Sequence, residues 1–204
     1  MPEITQINIQ TKNKKRCNIF VDGEFFVAVS VETVLKNRLK VGQFIDAKDL
    51  QQVVEENDRS EAFSKSLDYV SKSLKTKRQV KDYLIRKGYS EEIAWYCVDK
   101  LKEYKFIDDK EYSKRYIESV SKNQGKRLTE YKLMMKGVRR EDVESAYLET
   151  DIDANLNAKN VAEKYLKNKT IDKEMLAKTY RYLIGRGFSY EQASFAIKSF
   201  EKED

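Results

Sequence analysis

Two runs of lysine and arginine are the residues in this 204-residue chain most suited to a chemical task. Between Ser71 and Lys87 stand Lys72, Lys75, Lys77, Arg78, Lys81, Arg86 and Lys87, against one acid, Asp82. From Lys110 to Arg140, ten basic residues face Glu111, Glu118 and Glu130, a surplus of seven positive charges. The next stretch is acidic: Glu141, Asp142, Glu144, Glu149, Asp151 and Asp153 precede Lys159. Charge placed only for solubility mixes its signs. Segregated cations instead suit a polyanion, either a phosphate backbone or an acidic protein groove. For any single lysine a solvated helix face is an equal reading; the segregation of the whole cluster argues against it.

Other chemistry is sparse. Histidine is absent, so no Ser-His-Asp or Cys-His arrangement can form within the chain. Cys17 and Cys97 stand alone, without the spacing of a zinc site or a disulfide framework, and read as packing residues. No G-x-x-x-x-G-K-[ST] phosphate loop occurs. Gly185-Arg186-Gly187 reads as a helix cap rather than a nucleotide loop. Glu91-Glu92 and Asp108-Asp109 could be taken for catalytic or metal carboxylates, but both pairs open expected helices, where acids satisfy free N–H groups and the dipole. The thirteen tyrosines read first as half-buried packing residues and second as stacking platforms for single-stranded nucleic acid.

The elements that must position the cations repeat. Gly88, Gly137 and Gly187 each follow a leucine by four residues (Leu84, Leu133, Leu183) and precede an apolar residue (Tyr89, Val138, Phe188). Six residues beyond them lie Ala94, Val143 and Ala193; twenty-one before them lie Leu67, Tyr116 and Leu166. One helical unit is written three times, which predicts a stacked array rather than a pocketed enzyme domain. In the first unit Phe63, Leu67, Val70 and Leu74 form a helix face, Thr76 and Gln79 have capping-box spacing, and Ser90 opens a third helix carrying Ile93, Cys97 and Leu101. In the second, Asp108 and Glu111 repeat the box, Tyr112, Tyr116 and Val120 face inward, and Gly125 breaks the helix. In the third, Ser189 and Gln192 cap the last helix. Each glycine fits a left-handed cap with an apolar residue folding back behind it.

Residues 4–29 differ. Ile4, Ile7 and Ile9, a polar turn from Thr11 to Lys15, a run from Cys17 to Val21, and Asp22-Gly23 predict two or three antiparallel strands with a tight hairpin. A helix from Val31 to Leu39, capped by Ser30, should support them. Asp46 caps a further helix bearing Leu50, Val53 and Val54, and Glu55 to Arg59 either continues it or marks a boundary. The expected divisions are 1–45, a β-rich extension with a short helix; 46–107, a linker helix and first repeat; 108–151, a second repeat; and 152–204, a third. The predicted fold is mainly α, an elongated tandem array of three three-helix repeats behind a small β sheet. No apolar run is long enough for a membrane span and no secretion signal opens the chain, so cytoplasmic residence is expected.

Leu67 to Tyr89 resembles the first repeat of the RecX regulatory proteins. Leu101 to Tyr116, with Phe106-Ile107-Asp108-Asp109 at its centre, is similar to that family's most recognisable stretch, and Lys132-Leu133-Met134-Met135-Lys136-Gly137-Val138 to its second-repeat signature. Met134-Met135 and a tyrosine-rich first helix in the second repeat depart from the pattern, in ways that bear on packing. The resemblance implies a monomeric, non-enzymatic modulator without cofactor, metal or catalytic residues. Its implied partner is the RecA–DNA filament, whose groove it would follow while restraining ATP hydrolysis, filament growth and strand exchange, and so recombination, repair and the SOS response. Lys75, Lys77, Arg78, Lys81, Arg115, Lys122, Lys126 and Arg127 are the expected contacts to acidic side chains or to single- or double-stranded DNA. A stand-alone DNA-binding protein with helix-turn-helix-like units shares the charge evidence but lacks a clear recognition helix. A scaffold for unrelated proteins and a hydrolase are weaker readings.

Overall fold

The computed structural model describes residues 1–201. The chain is mainly α, with three strands and ten helices among the described residues. It divides into two compact units, Met1–Ser71 with Lys81–Lys100, and Lys72–Val80 with the chain from Leu101 onward.

In the first unit, β1 (Ile4–Ile9), β2 (Arg16–Val21) and β3 (Glu24–Ser30) form an antiparallel sheet in chain order. The register sets Ile7 opposite Ile19 and Cys17 opposite Val29. Asp22 and Gly23 turn the β2–β3 hairpin with φ of 51° and 86°, the paired positive values that match strand twist. One sheet face contributes Ile4, Ile19 and Val29 to a core completed by Leu39, Ile45, Leu50 and Val53. Ser30 caps α1 (Val31–Lys36) by accepting from the Thr33 N–H. This helix stops three residues short of the expected Leu39, because Arg38 turns to a φ of 51° and lets Leu39 drop into the core.

The linker helix and the first helix of the first repeat are one. Helix α2 runs unbroken from Ala47 to Ser71, since Glu55 to Arg59 contains no residue that stops a helix. Its buried face also differs from the expected one. Ala62 and Ser66 are buried, Phe63, Leu67 and Val70 are half-buried, and Leu74 lies beyond the helix end and is exposed. Asn57, also buried, reaches back to the sheet and α1: its Oδ1 accepts from the Ser30 N–H at 2.8 Å and the Thr33 hydroxyl at 3.2 Å.

The remaining helices are α3 (Lys77–Arg86), α4 (Glu91–Glu103), α5 (Asp109–Val120), α6 (Lys126–Met135), α7 (Arg140–Leu148), α8 (Ala154–Leu166), α9 (Lys173–Gly185) and α10 (Tyr190–Lys198). The glycine caps are the same device three times. Tyr89, Val138 and Phe188 each donate to the carbonyl of Leu84, Leu133 or Leu183, while Gly88, Gly137 and Gly187 donate to Ile85, Met134 and Ile184. Those two bonds define a Schellman cap, and the glycine φ of 83° to 90° is what a side chain would resist. The three leucines are fully buried. Leu133 packs with Ile117, Val138, Val143 and Ala146, and Leu183 with Ala158, Val161, Ala162, Phe188, Ala193 and Ala196.

The other caps follow the sequence with one exception. Thr76 and Gln79 exchange both capping-box bonds, as do Ser189 and Gln192. Asp108 accepts from the Lys110 and Glu111 N–H groups, but Glu111 does not return the bond. Its carboxylate pairs instead with Arg115 one turn along, at 2.7 Å.

Candidate partner-binding surface

Four of the eight expected cations sit at two equivalent places. Lys77 and Arg78 are the first two residues of α3, and Lys126 and Arg127 the first two of α6. Both helices lack an acid in the first turn. A positive side chain there opposes the helix dipole, so these pairs gain nothing from it.

The same helix starts receive the glycine caps of later helices. Thr76 Oγ1 donates to the Lys136 carbonyl at 2.7 Å, and the Arg78 stem lies against Gly137, where a Cβ would come within 2.2 Å of Arg78 Cδ. Likewise the Gly187 carbonyl accepts from the Arg127 N–H at 3.1 Å, and the Arg186 carbonyl from the Gly125 N–H at 2.9 Å. The cap of α6 is thus seated on the first turn of α3, and that of α9 on the first turn of α6. Each joint fixes the backbone from which a cation pair projects.

The expected contact residues are not equally available. Arg127 and Lys122 are exposed. Arg115 is exposed and pairs with Glu111, whose carboxylate raises the guanidinium pKa. Lys126 lies 3.6 Å from Glu130 and 4.9 Å over the Tyr147 ring. Lys75 reaches the Ser73 hydroxyl at 2.5 Å. Lys77 is largely covered, with its ammonium 3.9 Å from Asp109. Lys81 pairs with Glu91 and lies 5.0 Å over the Trp95 ring. Lys81 belongs to the first compact unit and the other seven to the second.

The carboxylates hold structure together. The Lys81 hydrogen bond keeps the Glu91 carboxyl below its usual range, and Glu92 pairs with Arg59 at 3.2 Å. Asp108 caps its own helix as expected. Asp109 does not: it is buried, and its Oδ1 accepts from the Lys77 N–H at 2.9 Å, so it caps α3 rather than α5. Burial raises its pKa against the opposing pull of Lys77. No group of three or more metal-binding side chains occurs among the described residues, and no described helix is long and apolar enough to cross a membrane. Cys97 is buried and its thiol is pushed up to about 11, an inert packing residue.

Glycine-capped helices in three repeated units behind a small sheet define a helical repeat protein. The chain belongs to the RecX family of regulatory proteins. Residues 2–46 match the regulatory protein RecX N-terminal domain, 62–101 the first RecX three-helix domain, and 157–197 the third. The chain is 34% identical to the regulatory protein RecX of Clostridium tetani over 99% of its own length and 96% of that protein's. It is 30% identical to the Bacillus licheniformis RecX, spanning 100% of this chain and 80% of that one. Its fold matches a crystal structure of regulatory protein RecX with a TM-score of 0.73, covering 97% and 100% of the two chains at 23% identity. RecX from Lactobacillus salivarius matches with a TM-score of 0.64 over 71% of this chain and 97% of that one.

Proposed function

We propose that this protein binds the RecA–DNA filament along its groove and restrains RecA ATP hydrolysis, filament extension and strand exchange, thereby modulating recombination, repair and the SOS response. The observation that carries the reading is similarity to RecX regulators over nearly the whole chain. The paired cations add to it. Lys77-Arg78 and Lys126-Arg127 occupy equivalent helix positions 49 residues apart, and repeated sites suit a partner that is itself a repeating polymer. The protein acts here as a monomer without catalysis, and its working parts are the extension 1–45 and the repeats 46–107, 108–151 and 152–204. Lys75, Lys77, Arg78, Lys81, Arg115, Lys122, Lys126 and Arg127 form the contact set.

The decisive assay is RecA ATPase on single-stranded DNA, titrated with the full chain. Arg115→Glu, Lys122→Glu and Arg127→Glu together reverse exposed charges without touching the Lys77–Asp109 or Lys81–Glu91 pairs. The variant should need about tenfold more protein for the same inhibition, a loss of about 1.4 kcal/mol. Unchanged inhibition by the folded variant rejects the contact set. Binding to naked duplex DNA as tight as to the filament would favour the stand-alone DNA-binding reading instead.

A further inference from the structure

The β1–β2 turn carries a second concentration of charge, in the first unit. Lys12, Lys14, Lys15 and Arg16 fall within five residues, and no acid occurs between Glu3 and Asp22. The loop is ordered by its own bonds. The Asn13 side chain accepts from the Lys15 N–H at 3.1 Å, the Asn13 carbonyl from the Arg16 N–H at 3.0 Å, and the Lys15 carbonyl from the Val31 N–H at 2.9 Å. Arg16 is anchored, donating to Glu61 at 2.5 Å and to the Ala28 carbonyl at 2.7 Å. Lys12, Lys14 and Lys15 are exposed, and among the described residues no acidic group pairs with them.

Behind the loop lies an open recess of about 710 Å³, walled by Asn13 to Arg16, the start of α1, and Ser60, Glu61, Ser64 and Lys65 of α2. Lysine ammoniums and serine hydroxyls are among the side-chain groups that meet phosphate oxygens in nucleic-acid complexes. Of the two acids on the wall, Glu61 is paired with Arg16, and Glu32 is exposed. No aromatic ring lines the recess, and Val31 is its one large apolar side chain. Unstacked bases would find no platform there, and a peptide no apolar anchor pocket. A duplex needs neither, because its affinity comes from phosphates neutralised and counterions released.

We infer that Lys12, Lys14 and Lys15, presented by the ordered β1–β2 loop beside Ser60 and Ser64, form a sequence-independent binding site for the sugar–phosphate backbone of duplex DNA. The site is separate from the repeat cations and does not rest on the filament reading.

The test uses the full chain, a short fluorescein-labelled duplex of mixed sequence, and no RecA. Anisotropy is followed across a salt series for the native chain and for the triple variant Lys12→Glu, Lys14→Glu, Lys15→Glu. All three side chains are exposed, so the variant should keep its helix signal and melting temperature. Its duplex affinity should fall by at least about tenfold, and the slope of log affinity against log salt should shrink by about 0.9 for each lysine that neutralised a phosphate. Asn13→Ala keeps the charges but loosens the loop, and should weaken binding while leaving the slope unchanged. An equal slope and affinity in the native chain and the triple variant overturns the proposal. So does absence of duplex binding by the native chain at low salt, or displacement by polyglutamate as readily as by unlabelled duplex. Since RecA is absent, failure here leaves the filament reading standing, and failure of the ATPase assay leaves this site standing.

Discussion

Gly125 and Gly187 meet backbone to backbone. A methyl group placed on Gly125 would lie 2.2 Å from the Gly187 carbonyl oxygen and 2.3 Å from the Phe188 nitrogen. Neither atom belongs to a side chain that could swing away. The contact lets the Gly125 N–H reach the Arg186 carbonyl and the Arg127 N–H the Gly187 carbonyl, so two backbone bonds at the joint depend on the missing Cβ.

Gly125→Ala should therefore cost about 3 kcal/mol of stability, the upper range for overpacking, although Gly125 itself has an ordinary φ of −78°. Gly88→Ala makes the contrast. Its cap has a φ of 90° but open space around the Cα, so only the backbone penalty of about 1–2 kcal/mol applies. Urea unfolding of both variants checks the order; a Gly88→Ala loss equal to or larger than that of Gly125→Ala would show the joint to be looser than described.

Thr76 serves two helices through one hydroxyl. It accepts from the Gln79 N–H at 3.2 Å and donates to the Lys136 carbonyl at 2.7 Å, fully buried. Thr76→Val keeps the shape, removes a cap bond and leaves a carbonyl unpaired, so about 2–3 kcal/mol should be lost. Thr76→Ser keeps both bonds and should cost about 1 kcal/mol, for the missing methyl. Denaturation midpoints of the two variants separate the hydroxyl from packing.

What was legible in the sequence is what is local. The three caps need only a leucine, a glycine and an apolar residue at fixed offsets, and all three form the same pair of bonds. The Asp22-Gly23 hairpin and the Thr76 and Ser189 boxes are local in the same sense. The unbroken α2 was half legible: Glu55 to Arg59 is polar, but nothing in it stops a helix, and the single buried Asn57 explains why the segment stays docked. Asp109 reads from the sequence as an acid for its own helix, because the donor it meets, the Lys77 N–H, is 32 residues away. The pairing of Lys81 with Glu91 was hidden for a related reason, since it spans the turn between α3 and α4. Charge runs show where cations are numerous; folding decides which of them acids of the same chain have already engaged.

Asn57 fixes how α2 supports the sheet. Its Oδ1 takes the Ser30 N–H just where Ser30 begins α1, and also the Thr33 hydroxyl. Asn57→Leu fills the space but orphans the Ser30 N–H, while the Thr33 hydroxyl keeps the Ser30 hydroxyl 2.8 Å away, so the expected loss is about 1–3 kcal/mol. Hydrogen exchange should quicken first at the Ser30 amide. Unchanged protection of that amide would mean that α1 is held by its own cap alone.

Asp109 gives the fold a pH signature with a definite sign. Burial is the largest cause of its raised pKa, with Asp142 and Asp108 adding to it and the Lys77 N–H and ammonium opposing. The native state therefore holds this proton more tightly than the unfolded chain, whose aspartate titrates near 3.8. The stabilisation from this group is complete below that value and is lost as pH rises through the raised native pKa. Asp109→Asn keeps an acceptor for the Lys77 N–H and cannot ionise. Its melting temperature relative to the native chain should accordingly rise as pH climbs above the unfolded aspartate's value and level off once the native carboxyl is fully ionised. The depressed pKa values of Glu91, Glu149 and Glu191 have the opposite sign, but they are common to both proteins and cancel in the difference. A difference that stays flat, or falls, as pH rises above the unfolded value would mean that Asp109 is better solvated, or held more strongly by Lys77, than its burial implies.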